Sequence, residues 1–116
     1  MYEANNIFAK ILRGEIPCDK VYEDEKVLFF NDINPKAKIH IIGIPKLKVV
    51  NFGDFMSRAG AETTYHFFSK VYEVVREKKI EKPGFKIITN SGENGGQEVQ
   101  HFHVHILGGE KLTHLR

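Results

Sequence analysis

Apolar positions along the chain change their period several times, and each change marks an element. Ile7, Phe8, Ile11 and Leu12 recur at i, i+1, i+4 and i+5, the stripe of one helical face. Asn5-Asn6 stand before the stripe and Gly14 after it, so the spacing predicts a short helix capped by Asn and stopped by glycine. Lys20-Val21-Tyr22 and Val27-Leu28-Phe29-Phe30 read as two strands joined by the charged turn EDEK. Asn31-Asp32-Ile33-Asn34-Pro35 reads as a loop. Ile39 to Ile44 is a β-branched run that Pro45 closes. From Asp54 or Ser57 to about Lys79 the period returns to that of a helix. Phe67, Val71, Val74, Val75 and Lys78 recur on one face there, and Phe68 and Tyr72 widen it. Pro83-Gly84 interrupts, Phe85 to Thr89 is a strand, SGENGGQ is a glycine-rich turn, and Val99 to Leu107 is the last strand.

Strands so close on either side of one turn pair most economically as an antiparallel hairpin. The order of elements predicts an α+β domain spanning residues 1–116. It holds about five strands in a mainly antiparallel sheet, one long helix, and a short N-terminal helix. Composition alters this picture little. The chain is 41% hydrophobic and 28% charged, an ordinary globular balance. A net charge of +2 is too small to argue for a nucleic-acid or membrane partner. Cys18 is the single cysteine, which excludes an internal disulfide framework and fits a reducing compartment. No segment approaches the roughly 20 apolar residues of a membrane span, and the N-terminus lacks a leader pattern. The expected location is the cytoplasm.

The chemistry concentrates in QHFHVHILGG, residues 100–109, which holds three of the six histidines. On a strand, His101, His103 and His105 share one face while Phe102, Val104 and Ile106 share the other and bury against the helix. Alternate Cβ atoms lie about 6.5–7 Å apart, so the three imidazoles line one groove. Strict alternation argues against incidental surface histidines. Two chemistries fit it. Histidines at i, i+2 are a common zinc or iron arrangement, completed by a carboxylate or a further histidine. A neutral imidazole is also a good nucleophile toward phosphorus, and its neighbours resist gathering several charges while donating hydrogen bonds to phosphate oxygens. The preceding loop favours phosphate. Gly92, Gly95 and Gly96 permit positive φ and close backbone approach, and successive N–H groups in such a turn form an anion-binding concavity. Glu98 is the nearest carboxylate for a metal, but in an unbroken strand its odd offset from the histidines points it to the opposite face.

The run His101-Phe102-His103-Val104-His105-Ile106-Leu107 resembles the signature of the histidine triad (HIT) superfamily, and Gly108-Gly109 after it resembles the Hint branch of nucleoside phosphoramidases. IFAKILRGEIP, VLFFNDINPKAKIHIIGIPK and ITNSGENGGQEVQHFHVHILGG follow in the family's order. The resemblance implies a homodimer whose two sheets join into one. It implies hydrolysis of purine nucleoside 5′-phosphoramidates through a nucleotidyl-histidine intermediate, on an AMP- or GMP-like nucleotide and without a cofactor. It makes His103 the nucleophile, His105 the contact to the α-phosphate, His101 the outer member that orients the nucleophile, and His40 a histidine behind the triad. It assigns Asp32 to the ribose hydroxyls, Ile7, Phe8, Ile11, Phe30 and Ile33 to the apolar slot for the base, and Asn90, Gly96 and Gln97 to the polar lining around phosphate and leaving group. Glu98 stands where relatives often carry Ser or Thr near the leaving group. Each residue also has a plainer reading: the apolar five as core, Asp32 and Asn90 as turn residues, His40 as a satisfied core histidine.

Departures from the family pattern bear on metal and substrate. Many bacterial relatives carry Cys-x-x-Cys and a further histidine that bind structural zinc with the first triad histidine. Asn6, Ala9 and Lys48 occupy those positions here, so no metal is expected. The tail EKLTHLR lacks the Trp-Pro-Pro-Gly ending of animal Hint proteins. The alternatives to a phosphoramidase are a dinucleoside polyphosphate hydrolase of the same superfamily and a nucleotide-binding scaffold with incidental hydrolysis.

Overall fold

The computed structural model describes residues 1–113; His114, Leu115 and Arg116, the end of the EKLTHLR tail, lie outside the described residues. The elements run α1 (Ile7–Leu12), β1 (Lys20–Glu23), β2 (Val27–Asn31), β3 (Ile39–Pro45), α2 (Phe52–Arg58), α3 (Gly60–Glu77), β4 (Phe85–Ile88) and β5 (Val104–Gly108). The strands form one five-stranded sheet in the order β1-β2-β3-β5-β4, and each neighbouring pair is antiparallel. This is the α+β class that the pattern predicts, including the β4–β5 pairing across the glycine loop.

The sheet has apolar cover on both faces, and β2 shows why. Its residues Val27 to Phe30 are all buried, as expected for a strand with no solvent face. Val27 and Phe29 join Ile41, Val104 and Ile106 in a cluster with Phe55 of α2 and Phe67, Val71, Val74 and Val75 of α3. Leu28 and Phe30 join Ile42 and Ile44 on the opposite face, beneath Phe8 of α1. Gly43 pairs with Phe29 across the β2–β3 ladder. A Cβ on Gly43 would fall 2.3 Å from the Phe29 ring, so the absence of a side chain there is what admits the phenyl group to the core.

The structure corrects two expectations. The segment expected as one helix from Asp54 or Ser57 to about Lys79 is two. Asn51 caps α2 by accepting the Asp54 N–H, and the break falls at Gly60, whose φ of +82° places it in the left-handed region. Glycine reaches that conformation without steric cost and so ends a helix. The last strand is also shorter than expected. The ladder begins at Val104, and residues 99–103 lie outside it. The alternation of faces nevertheless survives through the irregular stretch: Phe102 packs in the α2/α3 cluster, while His101 and His103 approach Phe8 with ring centroids 6.5 and 4.9 Å away.

Candidate active site

The face carrying α1 holds a cleft of about 1010 Å³. Its walls come from α1, from the segment that follows it, from the β2 end and the loop after it, and from the glycine loop; His103 and His105 also line it. Asn6 makes the first wall possible by accepting the Ala9 N–H with its side chain, which starts α1. Phe8 turns inward from this helix, whereas Ile7 stays 46% exposed at the rim. Of the expected site residues, Ile7, Phe8, Ile11, Phe30, Asp32, Ile33, Asn90, Gly96, Glu98, His103 and His105 all line the cleft. Ile33 does so while 91% exposed.

Three expected residues lie behind the lining. His101 and His40 are buried, and Gln97 spends its amide on backbone: Nε2 donates to Val50 and Val99 carbonyls at 2.6 and 2.9 Å, and Oε1 accepts the Gly92 N–H at 3.0 Å. The loop it braces is closed on itself. The Gly96 and Gln97 N–H groups donate to Glu93 and Gly92 carbonyls, so these amides do not form the anion-binding concavity that the glycine content suggests. Asn90 spans the same loop, donating from Nδ2 to the Gly95 carbonyl at 2.8 Å. Glu98 lines the cleft rather than the opposite face, because the strand that would have turned it away does not extend to it.

The hydrogen bonds fix which ring nitrogens carry protons. Nδ1 of His103 lies 2.7 Å from the His101 carbonyl oxygen, which only accepts. Neutral His103 therefore holds its proton on Nδ1 and its lone pair on Nε2. Nδ1 of His40 accepts the Lys36 backbone N–H at 3.0 Å, so the His40 proton sits on Nε2. That nitrogen lies 2.9 Å from Nδ1 of His105 and 3.3 Å from Oδ2 of Asp32. His105 in turn carries its proton on Nε2. His101 has Nε2 at 2.8 Å from the Pro45 carbonyl oxygen and Nδ1 at 2.7 Å from the Tyr2 hydroxyl. Burial pushes its pKa down to about 4 despite the Pro45 contact, so it is neutral at physiological pH.

Asp32 makes a turn contact and still borders the cleft. Oδ1 accepts the Asn34 N–H at 2.8 Å, a turn contact, while the carboxylate borders both cleft and His40. Asp32, His40 and His105 bring one ligand atom each to within 4.8 Å of one another, the spacing a metal ion would require. Two of those atoms, His40 Nε2 and His105 Nδ1, are already hydrogen-bonded to each other. The positions expected to lack zinc ligands have other uses: Asn6 caps α1, Ala9 is buried, and the Lys48 carbonyl accepts from Arg58.

The sequence reading missed Ile16, Pro17, Cys18, Asp19 and Asn31 in the cleft wall. The first four lie in irregular chain, where no periodicity marks which side faces inward, and Asn31 is the last residue of β2, where the loop begins. It also missed Tyr2, whose partner lies 99 residues away.

Three alternating imidazoles at the end of an antiparallel sheet, two of them lining one cleft, place the chain among the histidine triad proteins. The HIT domain family matches residues 13–112, and the chain belongs to that family. An uncharacterized HIT-like protein of Rickettsia prowazekii is 45% identical over 115 residues, covering 99% of this chain and 96% of that one. The purine nucleoside phosphoramidase of Escherichia coli is 38% identical over 106 residues, 91% of this chain and 88% of the enzyme. A solved histidine triad protein from Clostridium difficile superposes with a TM-score of 0.88 at 41% identity, covering 100% of both chains.

Proposed function

We propose that this protein is a cytoplasmic purine nucleoside phosphoramidase, acting as a homodimer on compounds such as adenosine 5′-monophosphoramidate. The observation that carries the reading is the tautomer of His103: its Nδ1–H is held by the His101 carbonyl, which leaves the nucleophilic lone pair on Nε2 of a cleft residue. In this reading Nε2 attacks the α-phosphorus, the P–N bond breaks, and the amine leaves with a proton drawn from solvent, which the water of the second step returns. Water then cleaves the Nε2–P bond, releasing the nucleoside monophosphate and restoring the lone pair. The relay through His40 presents an Nε2–H on His105 to the phosphate oxygens as charge grows there. The base lies in the slot of Ile7, Phe8, Ile11, Phe30 and Ile33, and the ribose hydroxyls meet Asp32.

The charge of the cleft favours a phosphoramidate over a dinucleoside polyphosphate. Its lining includes Asp19, Asp32 and Glu98, with no lysine or arginine among the described residues. A chain of several ionised phosphates would face carboxylates without compensating cations. A single phosphate that gives up an amine suits it better. For the dimer, support comes from the edge of β4, which among the described residues pairs with β5 alone and leaves Ile87 45% exposed. Sedimentation velocity measures that directly, and a monomer at micromolar concentration would remove the dimer from the reading.

The deciding experiment is a chase for the intermediate. The protein is incubated with adenosine 5′-monophosphoramidate in the presence of a chelator, then denatured without acid, which preserves a P–N bond. Turnover and an AMP adduct that maps to His103 are expected, with neither in His103→Ala. Turnover that persists in His103→Ala would sink the nucleophile assignment. Tight AMP binding without turnover by the wild type would identify a binding module instead.

A further inference from the structure

We propose that Tyr2 is a positioning residue for the nucleophile: its hydroxyl donates to Nδ1 of His101, and holding that ring fixes the carbonyl that orients His103. The proton count makes the direction of this bond definite. The Pro45 carbonyl at 2.8 Å only accepts, so the single proton of neutral His101 sits on Nε2. Nδ1 is then an acceptor, and the Tyr2 hydroxyl at 2.7 Å is its donor. His101 is 0% exposed, so water does not replace that donor without opening the site.

The position of the His101 backbone depends on such contacts because it lies outside the ladder. The strand β5 starts at Val104. Before it, Phe102 N–H donates to the Val49 carbonyl, and the His101 ring bridges Pro45 and Tyr2. The carbonyl of His101 accepts from Nδ1 of His103, and this bond sets both tautomer and ring orientation of the nucleophile. Displacement of the His101 ring therefore reaches the attacking nitrogen through one residue.

Tyr2 itself is anchored through its neighbours. Glu3 and Ala4 offer their carbonyls to Asn6 Nδ2 and Arg13 Nη1 at 2.8 and 2.7 Å, which ties the segment to α1. The ring meets His101 edge-on, with centroids 5.5 Å apart. The N-terminal segment thus couples the helix that walls the cleft to the residue that reacts in it.

The kinetic part of this inference rests on the phosphoramidase reading; the tautomer part does not. Tyr2→Phe keeps the ring and deletes the donor. Long-range proton–nitrogen NMR of the imidazoles in the wild type should report His101 protonated on Nε2 and His103 on Nδ1. In Tyr2→Phe the His101 Nδ1 resonance should move toward that of an acceptor without a donor. The kcat for adenosine 5′-monophosphoramidate should fall about tenfold, the scale of one buried bond lost, with KM within about twofold. Wild-type imidazole shifts in Tyr2→Phe would overturn the proposal, as would a changed His101 shift with unchanged kcat. A residue that only stabilised the fold would lower the melting temperature and leave the kcat of the folded protein alone. Should the wild type not turn over the phosphoramidate, the enzymatic reading fails separately, and the imidazole shifts alone decide the role of Tyr2.

Discussion

Nε2 of His40 lies 2.9 Å from Nδ1 of His105, and the two histidines stand 65 residues apart in the chain. Because the Lys36 N–H occupies the other nitrogen of His40, this bond has one direction, from His40 to His105. His105 must then carry its own proton on Nε2. His40→Leu removes the donor and releases His105 to its other tautomer, so kcat should drop about tenfold to a hundredfold with little change in KM, the scale expected for one unmade buried bond. His40→Gln should recover part of the loss, since its amide still donates. Steady-state kinetics of both variants check this. Equal loss in both would show that imidazole shape, rather than the proton, is what His40 supplies.

Asp32 offers a prediction about substrate. Asp32→Asn retains an acceptor for the Asn34 N–H and so keeps the turn, but it loses the charge that would accept from two ribose hydroxyls. KM for adenosine 5′-monophosphoramidate should rise about tenfold, the scale of a charge-assisted hydrogen bond. The 2′,3′-dideoxy counterpart should show no such rise. If both substrates respond alike, Asp32 acts through His40, 3.3 Å away, and not on the sugar.

How much of this was legible in the sequence varies with the range of the interaction that decides each feature. The strands follow from local apolar and β-branched runs, the hairpin pairing from the short turn between two of them, and the division of Phe102, Val104 and Ile106 from the histidines from alternation. The break between α2 and α3 was written in Gly60, yet a single glycine within a continuing apolar period does not announce a left-handed backbone. Glu98 was misplaced because face assignment by parity assumes an unbroken strand, and the glycine loop delays the ladder to Val104. The resemblance puts Gln97 in the lining, but its three backbone partners include Val50, 47 residues away, which local sequence does not announce. Family resemblance supplied Asp32 and His40, and only the fold could show that they meet.

Gly43 tests the packing that supports the site floor. Gly43→Ala places a methyl carbon 2.3 Å from Phe29 Cε2, in a ring stacked on Phe67 at 5.9 Å. The phenyl group has to move against a filled cluster, so the variant should lose about 2 kcal/mol of stability, typical of overpacking. Urea unfolding measures it. A loss near zero would mean that β3 shifts freely, and His40 on the same strand would then be less firmly held than its contacts imply.

Acid should destabilise the protein over a window set by His101. Burial lowers its pKa in the native state from 6.5 to about 4. The unfolded chain therefore binds a proton between those values that the folded chain refuses. Stability from this group is complete above about pH 6.5 and is lost as pH falls toward 4, by about 3 kcal/mol in all, at 1.36 kcal/mol per unit. Asp24 obeys the same rule lower on the pH scale. Burial pushes its carboxyl up, but the N–H groups of Lys26 and Val27, the Tyr22 hydroxyl and His66 outweigh that and hold it well below its usual 3.8. Its contribution persists above the unfolded value and begins to fade only below about pH 4. The two windows are thus separable. Urea midpoints measured from pH 8 to 4.5 should be flat and then decline, while the His101 imidazole shifts stay those of the neutral ring down to about pH 5. A His101 that titrates near 6.5 in the folded protein would remove the cause, and the Tyr2 and Pro45 contacts would then have to hold a charged ring.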